Sequence, residues 1–304
     1  MPPSADAVGQ RRGLIAAAYR EASALELEAL KPGNVHRQSA GHGMTVADFL
    51  LSAQVSAGPL TAPGLGLGER VYRAVVATRE AVGCNTNLGI ILLCAPLLQA
   101  ALDPAAPGGL RTRVAAVLQA ADRADTQWLN QAIRLAAPAG LGRSARYDVA
   151  ESATATPLEV MTLAAHRDLI ARQYAECFKD LFERAVPLLE RLQTRWQDPA
   201  WAAVGLYLDF LRRFPDTHIA RKLGVDQALA VSRRAAPLAA ALNQAARPQP
   251  HRAALLTFDR ELKNAGINPG TMADLTVACL LIPRLQRLQP ASSSEKEPSV
   301  RKLT

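Results

Sequence analysis

The run from Leu88 to Leu98 limits the fold more than any other segment. It is apolar on every side, contains Pro96 and is too short to span a bilayer. A helix that is hydrophobic all round has no face for solvent, so other elements must wrap it. The rest of the chain is suited to do so. Leu14, Ala18, Ala22, Leu25 and Ala29 recur at the spacing of one helix face. Hydrophobic residues make up 49% of the chain but aromatics only 5%, with Ala and Leu carrying most of the apolar content. Such side chains lose little rotamer freedom in a helix. No segment sustains the apolar/polar alternation of a strand, and no internal repeat is visible. The fold class implied is all-α: a single compact multi-helix domain around a central apolar helix.

Breakers and caps divide the chain. Lys31-Pro32-Gly33-Asn34 stops the first helix, because proline disfavours helix at its predecessor and glycine permits positive φ. Thr45 is placed to cap a helix running through Phe49 to Ala57. Further helices are expected over Glu69–Ala81, from Asn85-Thr86-Asn87 onward, and over Leu110–Ala124 and Thr126–Ala136. After a loop from Pro138 to Thr156 they resume over Leu158–Ala165, Asp168–Leu192, Pro199–Phe214, Val225–Ala246, Arg252–Ala265 and Thr271–Leu288. The expected division is a flexible N-terminus over residues 1–10, an all-helical domain over 11–288, and a disordered tail over 289–304 rich in Ser, Glu, Lys and Pro.

The formal charge is +8, which favours phosphate-bearing partners. Arg dominates the cations, and no dense basic run is interleaved with aromatics. A phosphorylated small molecule therefore fits better than a nucleic acid. Cys84, Cys94, Cys177 and Cys279 are scattered without a CxxC pair, which argues against a disulfide framework or a zinc site. No apolar core of a signal peptide and no membrane span is seen, so the cytoplasm is the expected location. Ala/Leu-rich helix surfaces would allow a homodimer.

Chemistry is to be sought where polar residues break apolar helices. Six places qualify. The Lys31-Pro32-Gly33-Asn34-Val35-His36 turn exposes backbone amides beside a cation, although the same residues serve as a plain helix stop. His42, between Gly41 and Gly43, is a candidate acid/base group or an ordinary loop histidine. Asp48, inside an otherwise apolar helix, is a candidate Mg²⁺ or ribose ligand. Asn85, Thr86 and Asn87 stand where a buried helix N-terminus offers free N–H groups to phosphate. Asp216-Thr217-His218-Ile219-Ala220-Arg221-Lys222 gathers a carboxylate, a hydroxyl, an imidazole and two cations; Asp216 also reads as a simple N-cap. Asn268-Pro269-Gly270-Thr271-Met272-Ala273-Asp274 repeats the pattern, with Asp274 in the first turn of an apolar helix. Arg143, after Gly140-Leu141-Gly142, is a weaker anion ligand.

Taken in order, KPGNVH (Lys31 to His36), Asp48-Phe49 with Ser52-Ala53, NTNLG (Asn85 to Gly89), DTHIARK (Asp216 to Lys222) and NPGTMADL (Asn268 to Leu275) resemble the triphosphoribosyl-dephospho-CoA synthase family. The likeness runs from about Glu26 to Leu280. It implies an all-helical enzyme that takes ATP and dephospho-CoA, displaces adenine and makes a prosthetic-group precursor. It implies phosphate contact at Lys31, Pro32 and Gly33, and roles for Asn85, Thr86, Asp216, Thr217, Arg221, Pro269, Gly270 and Asp274. An acidic residue before the KPG turn is also implied, filled by Glu26 or Glu28. Two positions depart from the family. Gly41-His42-Gly43-Met44 replaces a His-x-Asp-Met pattern, and Asn87-Leu88 stands where a Lys usually follows.

Breaking the N-glycosidic bond of ATP leaves cationic character on the ribosyl carbon and a base that needs a proton. On this reading Lys31 and Arg221 bind phosphates. Asp216 and Asp274, with Asp48 behind them, hold Mg²⁺ or the ribose. His36, His42 or His218 supplies the proton. Two other readings keep the same residues: ribosyl transfer to a different acceptor, and non-catalytic nucleotide binding.

Overall fold

Side-chain caps set many of the helix ends. The computed structural model describes residues 5–138 and 154–289. Among them are fourteen α-helices and no strand: α1 (Ala5–Glu28), α2 (Val46–Leu60), α3 (Leu67–Val82), α4 (Leu88–Leu102), α5 (Leu110–Ala120), α6 (Arg123–Ala136), α7 (Pro157–Ala164), α8 (Leu169–Ala175), α9 (Val186–Trp196), α10 (Pro199–Arg213), α11 (Thr217–Leu223), α12 (Val225–Gln244), α13 (Arg252–Asn264) and α14 (Gly270–Arg287). Thr45, Asp122 and Thr156 each form a reciprocal capping box. Asp168, Asp198 and Asp216 cap α8, α10 and α11. Helix α1 begins at Ala5, inside the stretch expected to be flexible. Arg143 and the tail beyond Gln289 lie outside the described residues.

Helix α4 is central, as its apolar circumference requires. It packs against α1, α2, α3, α5, α8 and α14. It shares the centre with α14, which touches α1, α4, α8, α9, α10 and α11 and is buried nearly throughout from Thr271 to Leu285. Among the described residues no helix is long and apolar enough to cross a membrane.

Two expected helices are corrected, and one helix was not expected. The segment Asp168–Leu192 is not continuous. Cys177 and Phe178 have φ of 48° and 55°, and a π-helical turn covers Leu181–Ala185 before α9 starts. The break lets fully buried Phe178 stack against Tyr174 with ring centroids 5.9 Å apart. Tyr174 in turn donates its hydroxyl to the Leu92 carbonyl of α4 at 2.6 Å. Tertiary packing overrides local helix propensity here. The expected Leu110–Ala124 helix ends at Ala120, because Asp122 caps α6. Finally, the polar cluster after Asp216 is itself the short helix α11.

Two glycines give a test of the packing. A Cβ on Gly68 would lie 2.1 Å from the Asp125 carbonyl oxygen of α6, whereas a Cβ on Gly58 meets nothing within 4 Å. Gly68→Ala is expected to destabilise by roughly 1–3 kcal/mol or more, because backbone must shift. Gly58→Ala should gain up to about 1 kcal/mol from helix propensity. Urea unfolding of the two variants checks both signs.

Candidate active site at the helix ends

The KPG turn is pinned from several directions. Gly33 has φ of 83°, and a Cβ there would lie 2.8 Å from Pro269 Cδ, so only glycine fits. The Gly33 amide donates to Asp259 Oδ1 at 2.9 Å. The Pro32 carbonyl accepts from the Tyr207 hydroxyl at 2.8 Å. The Gly33 carbonyl accepts from His42 Nε2 at 2.9 Å. Asn34 Nδ2 donates to Asn268 Oδ1 at 2.8 Å, tying the turn to the segment that starts α14. His42 itself has φ of 56°, a left-handed conformation that costs a non-glycine residue.

Beneath the turn lies a buried charge cluster. Lys31 is fully enclosed, with Nζ 2.7 Å from Glu26 Oε1 and donating to the Val35 carbonyl at 2.6 Å. Burial pushes the Glu26 carboxyl up and the Lys31 ammonium down, and each charge opposes the other's shift. Of the two acidic candidates, Glu26 reaches inside, while Glu28 pairs with Arg37 at the surface. His36 is buried with Nε2 3.4 Å from Asp259 Oδ2, and Lys263 Nζ lies 3.0 Å from Asp259 Oδ1. Burial pushes the Asp259 carboxyl up, but His36 beside it and the hydrogen bonds from Gly33 and Lys263 outweigh that and hold it below its usual range.

The second group joins α11 to α14. Asp216 is fully buried; Oδ1 accepts from the Ile219 amide at 2.9 Å and Oδ2 from the Met272 amide at 3.0 Å. Desolvation raises its pKa to about 6 despite these donors. The Thr217 and Thr271 hydroxyls lie 3.1 Å apart, and Thr271 Oγ1 also accepts from the His218 amide. The His218 ring rests over Gly270. Burial, then the charges of Arg221 and Lys222, lower its pKa to about 4.

Asp274 completes the site. It sits early in α14, with Oδ2 against Gly89 of α4, where a Cβ would be 2.0 Å away. The glycine of NTNLG thus admits the carboxylate to the backbone of the central helix. Burial, then the charges of Asp216 and Glu26, push the Asp274 carboxyl well above its usual range, and Arg221 resists. Asp274 still keeps some surface, whereas Asp216 keeps none. Arg221 is held by Asp168 Oδ2 at 2.6 Å, and Asp168 Oδ1 caps α8. Lys222 lies exposed. Asn85 caps the start of α4 through the Leu88 amide; Thr86 meets Ser52 at 2.5 Å, and Asn87 donates to Ser56 at 3.4 Å.

The structure therefore gathers Glu26, Asp216, Asp274, Asp168 and Arg221 at one end of the bundle, where α4, α8, α11 and α14 all begin. Helix N-termini carry positive potential and free amides, which suits phosphate. Asp48 stands apart: its Oδ2 accepts from the Thr45 amide and hydroxyl at 2.7 and 2.9 Å, closing the capping box of α2. Among the described residues no group of three or more His, Cys, Asp or Glu is placed to hold a metal ion. A cavity beside Glu26, bordered by Tyr19, Ser23, Phe49 and Asn87, amounts to about 10 Å³, room for about one water.

Asp259, Lys263, Tyr207 and Asp168 were not foreseen from sequence. Asp259 and Lys263 look like an ordinary exposed i,i+4 pair, and Asp168 looks like a simple N-cap. A tyrosine inside an apolar helix gives no local sign of its partner.

The profile of the ATP:dephospho-CoA triphosphoribosyl transferase family matches residues 12–293. The chain belongs to that family. A crystal structure of an Archaeoglobus fulgidus protein, named provisionally as a triphosphoribosyl-dephospho-CoA synthase, superposes with a TM-score of 0.59 at 26% identity. The alignment covers 77% of this chain and 96% of that one. No curated protein matches the chain significantly.

Asp216 and His218 make opposite contributions to stability over one pH window. Asp216 titrates at about 6 when folded against 3.8 ordinarily, so its contribution is full below 3.8 and is lost as pH rises to about 6. The loss is at most about 3 kcal/mol at 1.36 kcal/mol per unit. His218 titrates at about 4 when folded against 6.5 ordinarily, so its contribution grows as pH rises through that range. Relative to the native chain, His218→Gln should lose progressively more stability from pH 4 to 6.5. The deficit of Asp216→Asn should shrink from pH 4 to 6. Urea unfolding across the range checks both trends.

Proposed function

We propose that this transferase-family chain moves the triphosphoribosyl group of ATP onto dephospho-CoA and releases adenine. The observation that carries the reading is Asp274, a carboxylate brought against the backbone of α4 by Gly89 and surrounded by Asp216, Glu26, Asp168 and Arg221. Catalysing this reaction requires anionic stabilisation of a ribosyl cation beside a positive field for three phosphates. Asp274 stands at the sugar, where a bound cation would bring its raised carboxyl back to the ionised form. Arg221 and the amides at the starts of α4 and α14 take the triphosphate. A hydroxyl of the acceptor attacks the ribosyl C1′ as the bond to the purine nitrogen breaks; the hydroxyl proton leaves to a base, and the departing purine takes up a proton.

His42 is the group we assign to proton transfer. Its Nε2 must donate to the Gly33 carbonyl, which leaves Nδ1 to take or give a proton. His218, with its pKa near 4, is neutral at working pH and is less suited to donate. Asp216, with both oxygens on backbone amides, positions α14 rather than meeting substrate. Lys31 braces Glu26 from inside in the same way.

Mg²⁺ fits the donor set. The carboxylates gathered here are hard oxygen ligands whose mutual repulsion a cation relieves, and Mg²⁺ commonly uses one or two carboxylates with substrate phosphates. Asp274, with Asp168 behind it, would hold it, and the ion would offset charge on the triphosphate. Four free cysteines fit a cytoplasmic location.

The full chain should release adenine from ATP and Mg²⁺ only when dephospho-CoA is present, as followed by chromatography. Release without that acceptor's influence would reject dephospho-CoA as the partner; no release and no nucleotide binding by calorimetry would reject the reading. Asp274→Asn should lower turnover by roughly 100-fold or more while the fold persists. Arg221→Ala should raise the KM for ATP by about 10-fold or more, the value of a charge-assisted phosphate contact.

A further inference from the structure

We infer that Asp259 is a positioning residue for the transfer reaction, acting on His42 through the Pro32–Gly33 peptide, with Tyr207 as its counterpart on the same peptide. The inference rests on the reading of His42 as the proton-transfer group.

The Pro32–Gly33 peptide is gripped at both ends. Its N–H donates to Asp259 Oδ1 at 2.9 Å and its carbonyl accepts from Tyr207 at 2.8 Å. A peptide held by a buried carboxylate and a buried hydroxyl has little freedom to tilt. The next carbonyl, that of Gly33, is where His42 Nε2 is anchored at 2.9 Å. A carbonyl oxygen only accepts, so this bond fixes Nε2 as the protonated nitrogen and Nδ1 as the open one in the neutral ring. The orientation of the Gly33 carbonyl therefore decides the tautomer of His42, and Asp259 and Tyr207 decide the orientation of Gly33.

Asp259 is unlike an ordinary surface carboxylate. It is 1% exposed, comes from α13 far along the chain and serves Gly33, His36 and Lys263 at once. Lys263 also donates to the Ser39 carbonyl at 3.2 Å, in the loop that carries His42, so the Asp259–Lys263 pair meets that loop at both His36 and Ser39. His36 Nε2 is buried without a well-formed hydrogen bond, which leaves Asp259 as its nearest charge. The loop from His36 to Met44 closes on itself through two small bridges, His36 to Ser39 and Gly41 to Met44. His42, at φ 56°, stands between the residues of the second bridge. A strained residue keeps its geometry only when its surroundings over-determine it.

The test combines kinetics with the nitrogen spectrum of His42 in the full chain. Asp259→Asn and Tyr207→Phe are made alone, and each is combined with His42→Ala. In the native chain the ¹⁵N shifts of His42 should report the Nε2–H tautomer; in Asp259→Asn they should move toward a mixture, and in Tyr207→Phe in the same direction by less. Turnover should fall about 10- to 100-fold in Asp259→Asn, with the KM for ATP changed by less than about 3-fold. In the His42→Ala background, Asp259→Asn should cost no further turnover. Full additivity of the two losses, or an unchanged His42 tautomer in a folded Asp259→Asn protein, would overturn the inference. Should Asp259→Asn not fold, Tyr207→Phe, which removes one hydroxyl, carries the same test. A native chain without adenine release would defeat the proposed reaction, yet the tautomer measurement would still decide the positioning role.

Discussion

Asp216 is the constraint on which the motif-bearing end of the bundle depends. A carboxylate with no exposed surface has lost its water, and it recovers stabilisation only from the amides it faces. Those amides belong to two helices, Ile219 of α11 and Met272 of α14. One side chain thereby caps a short helix and fastens it across the start of a central one. Arg221 of α11 is then carried to Asp168, which fixes the start of α8 as well. Asp274 lies two residues after Met272, so its place against Gly89 follows from the same fastening.

This arrangement inverts the usual division between core and site. Lys31, His36 and Asp216 of the motifs are held inside the fold, and so are Glu26 and Asp259 beside them. Their partners are one another or backbone groups, not solvent. Buried charges are costly to hold and hard to reorganise, which suits a reaction whose transition state needs a fixed field. The cavity beside Glu26 is far smaller than a nucleotide.

Much of this was legible in the sequence. The apolar run at Leu88 dictated a wrapped central helix, and Thr45, Asn85 and Asp216 marked helix starts by their capping chemistry. The motifs themselves named Gly33, Asp216 and Asp274. What stayed hidden depends on long-range contact. The helix expected through Asp168–Leu192 breaks because Phe178 gains more from packing on Tyr174 than from continuing the helix. Lys31 and Arg221 look alike as cations beside a turn, but one is sealed against Glu26 and the other is only half-buried. Asp259 carried no sign because an Asp and a Lys four apart on an amphipathic helix usually face water. Glycine spacing was the best unused clue: Gly89 in an apolar helix foretold a close neighbour, but not which one.

The close approach at Gly89 has an evolutionary consequence. Any side chain at this position would occupy the space of the Asp274 carboxylate, so the central helix and that carboxylate cannot vary independently. The interlocked residues behind them are bound by the same rule, since each satisfies another's buried charge. Change is cheapest at the rim, among exposed positions such as Lys222. A lineage built on this scaffold would therefore vary its exposed positions while inheriting the interlocked helix ends.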